Sequence, residues 1–149
     1  SMAPTLQEIL LAPDTEPAVV ADCLKLIEQE VAGKSGISGA AVKIAYKTAN
    51  TFAKGYVQAK VEQLLPDLVA ALEPYWADFT ASDASGFGDY LAKHGDEVAE
   101  AMLAVSDERA KASRKAVILK AYGTVRGGAG KHIVAALPAV GALVEKYAG

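Results

Sequence analysis

The stretch Leu64-Leu65-Pro66-Asp67-Leu68-Val69-Ala70-Ala71-Leu72-Glu73-Pro74-Tyr75 decides how the chain is read. With Val57 and Val61 ahead of it, Leu64, Leu68 and Leu72 recur at steps of three and four, the apolar stripe of a helix. Pro66 lacks a backbone donor and crowds the preceding turn, so a helix over about 56–72 is expected to kink or restart there. The same signature returns near the other end of the chain. Leu137-Pro138, Val140, Val144-Glu145 and Tyr147 repeat Leu65-Pro66, Leu68, Leu72-Glu73 and Tyr75.

Outward from these two stretches, the rest also falls into pairs. Val20-Ala21-Asp22 with Leu24 and Ile27 is matched by Val98-Ala99-Glu100 with Met102 and Val105. Ala41-Val42, Ile44, Ala45-Tyr46 and Thr48 are matched by Ala116-Val117, Leu119, Ala121-Tyr122 and Thr124. Leu6, Glu8 and Leu10 correspond to Phe87, Asp89 and Leu91. Four matches in one order imply an internally duplicated four-helix unit, repeat 1 over about 5–79 and repeat 2 over about 85–147. Each unit is small for a stable core of its own, so a single fused, all-α bundle with a pseudo-two-fold axis is expected over 1–149. The connector is the Ser-, Gly- and Asp-rich stretch of about 78–88.

Local signals agree with helix nearly throughout. Alanine makes up roughly a fifth of the residues and β-branched runs are rare. Thr5 with Glu8 has the pattern of a capping box, Thr15 is a candidate N-cap ahead of Pro17, and Gly33 and Gly55 are candidate stops. Ala41, Ala45, Ala49 and Phe52 share a face of the third helix. Ile133–Val144 reads as a buried closing helix, too short for a bilayer and interrupted by Pro138. Trp76, Tyr75 and Phe79 are expected to pack in the core or between the halves, and Cys23 to be a buried, inert thiol.

At 149 residues, with 52% hydrophobic and 22% charged residues, the chain is neither disordered nor long enough for two ordinary domains. One cysteine excludes an internal disulfide framework and suits a reducing cytoplasm. No secretory leader or transmembrane segment is expected, and Ser1 before Met2 reads as a cloning remnant.

Chemical motifs fail on inspection. Gly33-Lys34-Ser35 and Gly130-Lys131 lack the leading glycine of a phosphate loop, since Glu28 and Val125 stand there. Gly36-Ile37-Ser38-Gly39-Ala40 lacks the last glycine of a nucleophile elbow, and His94 and His132 have no evident acid partner. Asp83, Ser85, Gly88 and Asp89 echo a calcium loop, but Phe87 and His94 occupy two ligand positions. No catalytic residue, metal site or cofactor is expected, and the chain is not read as an enzyme.

Charge is the feature that invites a function. The net charge is −3, yet between Gly33 and Val61 there are five lysines and no acid. Between Arg109 and Val144 there are seven basic residues and again no acid. Lys43, Lys47, Arg114 and Lys115 are therefore candidate anion contacts on two equivalent basic helices. Arg126 and Lys131, flanking Gly127-Gly128-Ala129-Gly130, are candidates beside a helix N-terminus. Two readings stay open. One is a binding or scaffold protein acting through protein contacts, self-association included. The other is a small-molecule or anion binder using a cavity between the halves or the basic helices. Nucleic acid is a poor fit, since aromatic residues are not interleaved with the bases.

The stretches Gly33–Lys47, Leu64–Val69, Leu103-Ala104-Val105-Ser106-Asp107 and Lys120-Ala121-Tyr122 resemble a family of small all-helical bacterial proteins of unknown function, mostly actinobacterial. The resemblance implies a bacterial, cytoplasmic origin and carries no activity onto any residue.

Overall fold

The computed structural model describes residues 3–149; Ser1, read above as a cloning remnant, and Met2 lie outside the described residues. Eight helices follow one another: α1 Leu6–Leu10, α2 Glu16–Ala32, α3 Gly36–Phe52, α4 Tyr56–Thr80, α5 Phe87–Lys93, α6 Gly95–Ala112, α7 Ala116–Arg126 and α8 Ala129–Ala148. No strand occurs among the described residues. The all-α reading holds.

The capping box forms as expected. Glu8 N–H donates to Thr5 Oγ1 at 3.1 Å, and Thr5 N–H donates to Glu8 Oε1 at 3.0 Å. That closed pair holds the Glu8 carboxyl below its ordinary range, chiefly through the Thr5 backbone donor. Thr15 stands at the N-cap of α2 but does not cap it with its side chain, because its backbone is already in the right-handed helical region. Gly33 ends α2 with a right-handed φ of −83°, and the left-handed conformation falls instead to Gly36 and Gly55, at φ 74° and 75°.

Pro66 neither ends nor restarts the fourth helix, and α4 runs through Pro66 and Pro74 to Thr80. Both prolines and the residues four positions before them, Glu62 and Ala70, are exposed, so water can satisfy the carbonyls that lose a donor. Pro138 is likewise carried inside α8, itself exposed, with Val134 four positions before it half-buried.

Helices α2, α4, α6 and α8 form a ring in which α4 packs on α2 and α6, and α8 packs on the same two. The short α1 and α5 each reach both α4 and α8. Exchanging the first four helices for the last four leaves most of these neighbour relations unchanged. Buried at the centre are Leu6, Leu10, Val19, Leu72, Trp76, Phe87, Leu91, Val98, Leu137 and Val144. Trp76 and Phe79 pack on Phe87, with ring centroids 5.0 and 5.2 Å away, so this aromatic cluster, expected in the core or between the halves, lies in the core. Cys23 is half-buried against this core, and burial pushes its thiol up to about 11.

Two devices close the core. Leu6 N–H donates to Glu73 Oε2 at 3.0 Å, and Trp76 Nε1–H donates to the Pro4 carbonyl at 2.9 Å, fastening α1 to α4. In the second half, α5 and α8 touch backbone to backbone. A Cβ on Gly141 would lie 2.2 Å from the Gly88 Cα, and one on Gly88 would lie 2.8 Å from the Pro138 carbonyl oxygen. Only glycine fits at this crossing.

Candidate functional site

Helices α3 and α7 sit apart from that core. They pack on each other, with α3 resting on α4 and α2 and α7 resting on α8. No residue of α7 is fully buried, and in α3 only Gly39 is. Among the described residues, the large hydrophobic side chains that are exposed all belong to this pair: Ile37, Ile44 and Phe52 on α3, Val117 and Leu119 on α7. Ile37 is 94% exposed and Ile44 66%, values that mark side chains with nothing packed over them.

Between the two helices runs a groove of about 240 Å³ lined by Ala41, Ile44, Ala45, Thr48, Val117, Lys120, Ala121 and Thr124. It continues past Thr51 and Phe52, with Lys47 at its edge. Of the face expected from Ala41, Ala45, Ala49 and Phe52, all but Ala49 line an open groove. Alanine and threonine make the floor shallow, and isoleucine, valine and lysine form its walls.

The charge pattern converges here because α3 and α7 lie in the two acid-free stretches. Those stretches hold twelve of the chain's fifteen basic residues and none of its eighteen acidic ones. Lys43 and Lys47 are exposed on α3, Arg114 and Lys115 are exposed in the turn leading into α7, and Lys131 is exposed in the first turn of α8. None of these five is in an ion pair among the described residues. Arg126 is differently placed. Its Nε and Nη2 donate to Asp107 Oδ1 and Oδ2 at 2.8 and 3.0 Å, and Tyr122 donates its hydroxyl to the same Oδ1. These donors, Arg126 first, hold the Asp107 carboxyl below its ordinary range. Arg126 is therefore a clamp between α6 and α7, and the glycine run keeps only Lys131 as an unpaired cation. Beside it, His132 Nε2 lies 3.2 Å from Ser38 Oγ, and burial, then the charges of Lys34 and Lys131, hold its imidazole below its ordinary value.

The sequence did not disclose a second convergence. Lys60 Nζ and Lys115 Nζ stand 5.7 and 5.4 Å from the centre of the Tyr56 ring. Burial, then the charges of Lys115 and Arg109, lower the Lys60 ammonium. Lys60 and Arg109 line a pocket of about 170 Å³ where α4, α6 and α7 meet. These residues are 49 and 55 positions apart, and only the packing of α7 beside α4 and α6 reveals the cluster.

No single helix among the described residues is long and apolar enough to cross a membrane, and α7 and α8 are bent by 82° across their short break. No curated protein matches the chain, and no solved structure does. A family model described as a family of unknown function, DUF6918, matches residues 6–148. The span takes in all eight helices and leaves only the extreme ends outside it. The chain belongs to that family of unknown function, DUF6918.

Proposed function

We propose that the chain is a non-enzymatic, cytoplasmic binding module that acts through protein contacts, its α3/α7 groove receiving an acidic amphipathic helix of a partner protein. One observation carries the reading: the exposed large hydrophobics coincide with the acid-free, lysine-bearing helices. A groove with an alanine floor lets another helix approach closely, and its walls offer apolar contacts at helical spacing. Lys47 and Lys120 along it favour carboxylates on the polar flank of the incoming helix.

A second copy of the chain matches less well. Face to face, its apolar surface would fit but its cations would repel. Face to back, its acidic side would fit in charge but offers no exposed large hydrophobic residue. The free thiol of Cys23 suits a reducing compartment. The same reading treats the two four-helix halves as a duplicated unit. In support, two of the paired positions, Ala45 with Ala121 and Thr48 with Thr124, face each other across the groove they both line.

The test is a titration with a synthetic helix that carries leucines at i, i+3, i+4 and i+7 and glutamates on its other face. Backbone amide shifts should concentrate on α3 and α7, and the Ile44→Asp, Val117→Asp double variant should abolish them. Peptide binding that survives this variant overturns the proposal. So does concentration-dependent dimerisation through this face, or adsorption to phosphatidylserine vesicles without peptide binding.

A further inference from the structure

We infer that the pocket between α4, α6 and α7 binds a small organic phosphate, its anionic head held by Lys60, Arg109 and Lys115 and its short apolar part resting on Leu64, Ile118 and Leu119. The site is separate from the helix-docking groove and does not depend on that reading. Two cations line the pocket, Lys60 on α4 and Arg109 on α6, and a third, Lys115 in the turn before α7, stands at its edge with Nζ 5.4 Å from the centre of the lining Tyr56 ring. Bringing like charges together costs energy unless an anion joins them, and the lowered Lys60 ammonium registers that cost together with its burial.

The acids that could neutralise the cluster are occupied or distant. Asp107 is taken by Arg126 and Tyr122, and Glu108 by Lys111 at 3.1 Å. Asp67 reaches Arg109 only at 3.9 Å, with both side chains largely in solvent, a contact of little energy. Ser113 and Tyr56 add hydroxyls to the lining. The volume equals about six waters, below that of a drug-sized site, so the ligand is small. Lysine as a point charge and arginine as a two-pronged donor are the side chains that recognise phosphate.

Calorimetry at low ionic strength, with n-butyl phosphate, inorganic phosphate and butyrate as probes, tests the assignment. Butyl phosphate should bind saturably and about tenfold more tightly than either other probe. The Lys60→Gln, Arg109→Gln double variant should weaken it by a further factor of about ten, while Lys43→Gln, on α3, should not change it. Leu119→Asn should bring butyl phosphate down to the level of inorganic phosphate. Circular dichroism checks that each variant folds, and Ser113→Asp, which puts a negative charge in the lining, replaces the double variant if that one does not. The proposal is overturned by the absence of saturable binding, by equal affinity for all three probes, or by binding indifferent to these substitutions.

Discussion

Helices α5 and α8 cross with their backbones in contact, whereas α3 and α7 cross with a groove left open between them. The first crossing is enclosed by Phe87, Leu91, Leu137 and Val144, all buried; the second exposes Ile37, Ile44 and Val117. Both join helices distant in sequence, and both are rich in small residues. Small residues therefore serve two ends in one chain. At 88 and 141 they remove the space between helices, and at 41, 45 and 121 they keep a surface shallow enough for another helix to lie on.

The largest effect expected from this contrast is at Phe87, which is fully buried and in contact with the Trp76, Phe79 and Tyr90 rings. Phe87→Ala should cost about 3–5 kcal/mol in urea unfolding. A loss below about 1 kcal/mol would show that this crossing is no better packed than the other. Next come the glycines. Gly141→Ala must push α5 away from α8 and should cost about 3 kcal/mol, lowering Tm by roughly 6–12 °C. Gly123→Ala, in the middle of α7 with nothing within 4 Å of the new Cβ, should instead stabilise by about 0.5–1 kcal/mol. Equal signs for the two substitutions would break the comparison.

A smaller effect is expected from pH. The Asp107 carboxyl is held low in the folded state by Arg126 and Tyr122, so its contribution is present above the unfolded carboxylate range and is lost as pH falls through the lowered folded value. Asp107→Asn should therefore be less stable than the parent at neutral pH, and the gap should narrow as pH falls below the ordinary aspartate value of about 3.9 and close below the lowered folded value. A gap that stays constant with pH would show that the clamp works by shape and not by charge. Smallest of all, Ile44→Ala and Val117→Ala should each change stability by no more than about 0.5 kcal/mol, because these side chains cover nothing. The charge of the two acid-free stretches has its own check: the parent should be retained on heparin at low salt, and Lys43→Glu with Arg114→Glu should elute earlier.

Much of the fold was legible because helix signals are local. The Thr5–Glu8 box, the stripe from Val57 to Leu72 and the aromatic cluster around Trp76 each depend on residues a few positions apart. Two local readings turned on context. Pro66 was expected to kink or restart a helix, and α4 does not restart there because the proline lies on a solvent face, where water can replace the lost hydrogen bond. Ala41 and Ala45 formed a stripe that could face a core or a groove, and periodicity alone does not distinguish the two. The candidate site was half legible. Counting charges isolated the basic stretches, but it did not disclose that Arg126 turns to Asp107 or that Lys60 meets Lys115 across Tyr56. Those facts depend on which helices are neighbours.

The ring of long helices also has a consequence for the order in which the protein is made. Asp22 on α2 receives Lys146 Nζ at 2.7 Å and the Tyr147 hydroxyl at 2.6 Å, from residues made 124 and 125 positions later. At ordinary rates of translation the gap is roughly 6–25 s. Through that interval the inward face of α2 has only α3 and α4 beside it, and the position that α8 will fill is empty. The nascent chain thus carries an unfinished seam until its eighth helix emerges.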